Sequence, residues 1–259
     1  MKFSKIESFL QELHPLKNAE NWDNVGFIFG RKSAEITKII TCLTITPEVV
    51  KEAKDSGANL IVSHHPFPFR KVNRLTDDTF EGEMILDLAS AGVNIYSPHT
   101  AFDSATGGIN EQTLVSLDVA SVQDLIPKEG VNGAGRYGDL SEEIELQYLI
   151  EKAKKFYGLS KVKVVGNKDK KVKRLASACG SGGDFFSAAK AKGADVLITG
   201  EANFHTCIAA KAYGIALILT GHFASERFAV ERLAEELSSK FPEIETFASK
   251  EDVSPIEYF

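Results

Sequence analysis

One phrase recurs four times in this chain: an amphipathic run, a glycine, then a short apolar run that closes on a histidine or a carboxylate. The four instances are EAKDSGANLIVSHH (52–65), LASAGVNIYSPH (88–99), AAKAKGADVLITGE (188–201) and AAKAYGIALILTGH (209–222). Helically spaced apolar residues, a glycine as stop signal and a β-branched run of strand length form the alternation of an α/β protein. Its 259 residues suit one large domain or two smaller ones.

Other segments extend the pattern. ITKIITCLTIT predicts a strand, and PEVVKEAKDSG a helix with Pro47 in its first turn and Gly57 past its end. MKFSKIESFLQELHP places Phe3, Ile6, Leu10 and Leu13 at helical spacing, with Glu7, Gln11 and Glu12 breaking any secretory apolar region. FEGEMILDLASAG and SEEIELQYLIEKAKKFYG predict helices, the latter from Ser141. SERFAVERLAEELSSKF predicts a long final helix. KVKVVGN and VKRLASACG predict strands joined in a hairpin by the basic turn KDKK. The Gly-rich polar stretch near 128 to 139 marks the expected boundary between two α/β halves, 1–128 and 129–259. The repeated phrase fits two related halves or the ordinary βαβ grammar.

A formal charge of −6 disfavours nucleic acid as a general partner. No apolar run approaches a bilayer-spanning length, so a cytoplasmic protein is expected. Cys42, Cys179 and Cys207 are far apart, and none lies in a C-x-x-C pair, so they predict neither a disulfide framework nor a thiolate zinc knot.

The ends of the apolar runs carry the chemistry. Five of the six histidines fall there or just beyond: His64 with His65, His99 with Asp103, His205 with Glu201, and His222 with Glu226. Ligands collect at the carboxyl ends of strands in α/β sheets. Three of these pairs are four residues apart, which on a helix puts both side chains on one face. Imidazole with carboxylate suits Zn, Fe, Mn, Co or Ni. Five or more donors from such pairs exceed what one catalytic zinc takes, so two divalent ions with one bridging carboxylate fit better. CGSGGDF (179–185) lacks the remaining signature of a phosphate loop and predicts a tight strand-to-helix turn. Phe67 and Phe69, next to the paired histidines, either stack on a base or wall the site.

NWDNVGFIFG, SHHPFPF, SPHTAFDSATGGIN, VLITGEANFH, TGHFASE and the closing SPIEYF together resemble the NIF-three-like family, whose members are often labelled GTP cyclohydrolase 1 type 2 homologues. The likeness covers nearly the whole chain. It implies two similar, intertwined α/β/α halves with a metal site between them, and homohexamers built from dimers. It also implies a dinuclear site on His64, His65, Asp103, His222 and Glu226, with Glu226 as bridge and His99 beside the metals. DNVG reads as a turn whose Asp23 and Asn24 bond their own backbone, or, by the likeness, as lying near the cleft with Asp23 or Asn24 a substrate contact. Glu201 and Glu111 stand where the family often has aspartate. The expected function is a metal-dependent hydrolase of a nucleotide-like or other small substrate, with His99 or Glu201 as proton carrier. The alternative is a non-enzymatic ring that stores or delivers metal, or binds other proteins.

Overall fold

The computed structural model describes residues 1–257, so the last two residues of SPIEYF, Tyr258 and Phe259, lie outside it. The chain opens with α1 (Phe3–Leu13), β1 (Gly26–Phe29), β2 (Lys38–Cys42), α2 (Pro47–Ser56), β3 (Leu60–Ser63), α3 (Phe80–Ser90), β4 (Asn94–Ser97) and α4 (His99–Ser104). It continues with α5 (Ile109–Ser116), β5 (Val119–Lys128), β6 (Val131–Glu145), α6 (Leu146–Tyr157), β7 (Lys163–Val165) and β8 (Lys171–Ala178). Then come α7 (Phe186–Ala191), β9 (Val196–Thr199), α8 (Phe204–Tyr213), β10 (Ala216–Leu219), α9 (His222–Lys240) and β11 (Glu245–Ala248). The fold is α/β, as expected.

The chain divides into two compact units. One comprises residues 1–102 and 229–259, the other residues 103–228, so the chain leaves the first unit, builds the second and returns. The first unit holds a five-stranded sheet in the order β1-β4-β3-β2-β11, parallel except for β1. The second holds a six-stranded sheet in the order β5-β6-β8-β9-β10-β7, with β8, β9 and β10 parallel. Both units therefore contain the same phrase, β-α-β-α-β, β2 through β4 in one and β8 through β10 in the other, and each phrase is followed by a helix, α4 or α9, along which the chain passes to the other unit.

Local rules explain most elements. In α2 the Thr46 side chain accepts the Val49 N–H at 3.3 Å, Pro47 opens the first turn, and Gly57 closes the helix at φ 74°. The strands β3, β4 and β9 are buried along their whole length, which is why they read as continuous apolar runs rather than alternating ones. Ile40, Ile61 and Ile95 from three neighbouring strands share one apolar cluster with Val49 and Leu88 from α2 and α3. Cys42 is buried there too.

Three expectations need correction. The stretch 128–139 is no linker: it spans the turn and most of the second strand of the hairpin β5–β6. Its glycines reflect close backbone approach, for a Cβ on Gly133 would lie 2.1 Å from the Ile126 carbonyl oxygen. The α6 helix starts at Leu146, not Ser141, because Ile144 and Glu145 still pair with Val172 and Lys171 of β8. Finally, β7 does not form a hairpin with β8 but pairs antiparallel with β10 at the far edge of the sheet. The KDKK turn instead caps α6, its Lys168 and Lys170 carbonyls each accepting an N–H at 2.9 Å from Gln147 and Leu146. No helix among the described residues is long and apolar enough to cross a membrane.

Candidate metal centre

In the first unit the paired histidines follow β3. Backbone pairing continues past the strand, with the N–H groups of His64 and His65 donating to the carbonyls of Cys42 and Leu43, both at 2.9 Å. Ser97 Oγ donates to the His64 carbonyl at 2.6 Å, and Ser63 Oγ to that of His65 at 2.8 Å. So pinned, the two adjacent rings approach to 5.2 Å between centroids instead of pointing to opposite faces. His99 joins them, its ring 5.1 Å from His64 and 5.6 Å from His65. One ring nitrogen from each of the three lies within 4.8 Å of the others, a group that can hold a metal ion.

The His99 ring is held firmly. Its Nδ1 donates to both oxygens of Asp23, at 2.8 and 2.9 Å, and the Asp23 side chain is almost wholly buried. Because a carboxylate only accepts, Nδ1 carries a proton, so that in the neutral ring it is Nε2 that holds the lone pair. Thr100 donates to the same carboxylate through its backbone N–H at 3.1 Å and through its hydroxyl. Burial opposes the charge on Asp23, but the hydrogen bonds from His99 and Thr100 prevail and lower its pKa. His99 itself sits at φ 30°, a strained backbone for a residue with a Cβ. His65 Nδ1 lies 2.8 Å from Thr44 Oγ1, which orients that ring too.

The second unit gathers carboxylates around one imidazole. His222 opens α9 and Glu226 follows one turn later, so the predicted spacing does fall on a helix. His222 Nε2 lies 3.2 Å from Glu226 Oε2, and Nδ1 lies 3.3 Å from Glu201 Oε2. The hydrogen bond that the His222 ring donates to buried Glu226 leads the causes that raise the His222 pKa to about 9, against the opposing effect of burial. Asp103 lies on α4, one turn after His99, and its Oδ1 accepts from the Cys179 thiol at 3.1 Å.

Within their own units, then, His64, His65 and His99 come together, as do His222, Glu226 and Glu201. His205 is exposed on α8 and belongs to no ligand group among the described residues. Phe67 is buried in the apolar cluster, so of the two aromatic candidates only Phe69 flanks the site, its exposed ring 5.9 Å from that of His99. Asp23 anchors His99, and its Oδ1 also accepts the Asn24 N–H at 2.8 Å, the local turn contact that DNVG suggested. Glu111 lies 3.8 Å from buried Arg136. That arginine escaped notice in the sequence: it donates to the carbonyls of Gly133 and Gly135 at 2.7 and 2.8 Å and to those of Ser104 and Ala105 just after Asp103.

Known proteins resemble this chain along nearly its whole length. Residues 1–255 match the family Duf34/NIF3 (NGG1p interacting factor 3). A "GTP cyclohydrolase 1 type 2 homolog" of Clostridium perfringens is 36% identical over 262 residues, covering 100% of both chains. A Helicobacter pylori protein named "GTP cyclohydrolase 1 type 2" is 32% identical over 239 residues, covering 91% of each. The crystal structure of a Bacillus cereus protein related to NIF3 superposes with a TM-score of 0.90 over 100% of this chain and 99% of its own, at 22% identity, and speaks for the fold.

Proposed function

The chain belongs to the Duf34/NIF3 family, and from that premise we propose that it is a metal-dependent hydrolase acting on a nucleotide-like or other small heterocyclic substrate. Two divalent ions would be held by His64, His65, Asp103, His222 and Glu226. The observation that carries this reading is the cluster of His64, His65 and His99, in which one ring nitrogen of each lies within 4.8 Å of the others, so that the first two would hold an ion with His99 beside it. Three imidazoles gathered so closely suit a cation, and two of them are oriented through Nδ1 by Asp23 and Thr44. His222, Glu226 and Asp103 supply the harder oxygen donors and a further imidazole.

When bound, divalent ions supply Lewis acidity and make water more acidic. The protein's own part is positioning and proton movement. His99 Nε2, its lone pair fixed by the Nδ1–Asp23 hydrogen bond, takes or gives the proton at the reacting atom. Glu201, bonded to Ser181 at 3.0 Å and exposed, is the second candidate for that task. The relatives' names support a purine nucleotide as the first substrate to try.

The test is elemental analysis of the purified protein, followed by a turnover screen across nucleotides and phosphoesters with Glu226→Gln as control. Metal-dependent turnover abolished by Glu226→Gln and sharply reduced by His99→Ala supports the hydrolase. Metal that transfers readily to an apo-acceptor, with no turnover of any substrate, supports the storage or delivery role instead. We further propose assembly as a homohexamer built from dimers, which sedimentation velocity checks directly.

A further inference from the structure

The segment Cys179-Gly180-Ser181, between β8 and the short 3₁₀ helix Gly182–Phe185, touches each polar side chain of the second unit's candidate ligand group. Cys179 Sγ donates to Asp103 Oδ1 at 3.1 Å. Gly180, at φ 57°, lies directly beneath Glu226 and His222: a Cβ there would stand 2.3 Å from Glu226 Oε1 and 3.3 Å from His222 Cε1. Ser181 Oγ donates to Glu201 Oε2 at 3.0 Å and lies 3.5 Å from His222 Nδ1. The segment is itself tied down. The Cys179 N–H donates to Asn110 Oδ1 at 2.8 Å, and the Gly180 N–H to Ser225 Oγ at 2.9 Å. Asn110 closes the loop by donating its Nδ2 to the Asp103 carbonyl at 3.1 Å.

Two of the segment's N–H groups are thus committed to side chains within the unit and are not offered to an anion. These contacts leave a different role. We infer that this tripeptide is the platform that positions the second unit's ligands, with Cys179 the positioning residue for Asp103. The inference rests on the proposed metal-binding role of Asp103 and Glu226. A carboxylate on a helix end has free rotation about χ2, and a thiol donor on one oxygen selects one rotamer. Glycine at 180 meets two demands at once, a left-handed backbone and room for the Glu226 carboxylate.

The experiment measures Zn²⁺ affinity of the full chain by competition with a chromophoric chelator, with far-UV circular dichroism on every variant. Cys179→Ala loses roughly ten- to hundredfold in affinity, the usual effect of removing a hydrogen bond behind a metal ligand. Cys179→Ser, which restores a donor, stays near wild type, as does Cys207→Ser, which removes a thiol elsewhere. Should Cys179→Ala fail to fold, Cys179→Val fills the space without the donor and carries the same expectation. A folded Cys179→Ala or Cys179→Val that binds zinc like wild type overturns the positioning role alone. So does a Cys179→Ser as weak as the alanine variant. A wild-type chain that binds no zinc overturns the metal centre and the platform together.

Discussion

Asp23 decides which nitrogen of His99 carries the proton, and that single contact gives a sharp expectation. Asp23→Asn can offer an amide N–H where a carboxylate accepted, so the ring is no longer held in one tautomer. Turnover should fall roughly 10- to 100-fold with the melting temperature little changed. Unchanged turnover would dismiss the dyad. His14 makes a second prediction, about stability. It is buried, its ring lies 3.7 Å from that of Phe102, and its Nδ1 has no hydrogen-bond partner among the described residues. Burial lowers its pKa from 6.5 to about 3, below the unfolded value, so the unfolded chain binds the extra proton first. The stability held by neutral His14 is complete above about pH 6.5 and is lost as the pH falls toward 3, by up to about 1.4 kcal/mol per unit. Urea titrations of wild type and His14→Leu should diverge in slope over that window; parallel profiles would refute the assignment. At this scale the candidate ligands were legible because histidines and carboxylates at strand ends are conspicuous by type. Their supports were not: Asp23 is 76 residues from His99, and Cys179 is 76 from Asp103, so neither pairing leaves a local signal.

The elements follow the same division between local and distant causes. Helices closed by glycine were readable because the stop signal lies next to the run it ends, as at Gly57 and Gly214. The hairpin at 119–145 was not, because its glycines answer to the partner strand's backbone and look like a loop when read alone. Likewise the acidic residues at 142–145 read as a helix start, yet Glu145 pairs with Lys171 at 3.1 Å and the strand continues through it. Two glycine substitutions separate these causes. Gly57→Ala meets nothing within 4 Å, so its cost is backbone conformation alone, about 1 kcal/mol. Gly133→Ala drives a methyl into the Ile126 carbonyl and should cost about 3 kcal/mol or unfold the chain. Equal midpoint shifts in urea would show that β6 is not packed as described.

Taken whole, the molecule is two α/β units that each bury their own apolar clusters and each end a β-α-β-α-β phrase on a histidine at the start of a helix, His99 in one and His222 in the other. That repetition was visible in the sequence as four similar phrases, but the return of residues 229–259 to the first unit was not, since nothing local marks which sheet β11 joins. Because none of the candidate ligands belongs to the apolar clusters, chelator treatment should leave the far-UV circular dichroism spectrum intact and lower the melting temperature only by the binding energy withdrawn. Loss of the spectrum on chelation would make the metal structural instead. The most direct test is the metal content of the native protein beside its Glu226→Gln and His64→Ala variants. Two divalent ions per chain in the wild type, and fewer in both variants, are the predicted result. A wild-type chain without metal, or variants that retain the full complement, would contradict it.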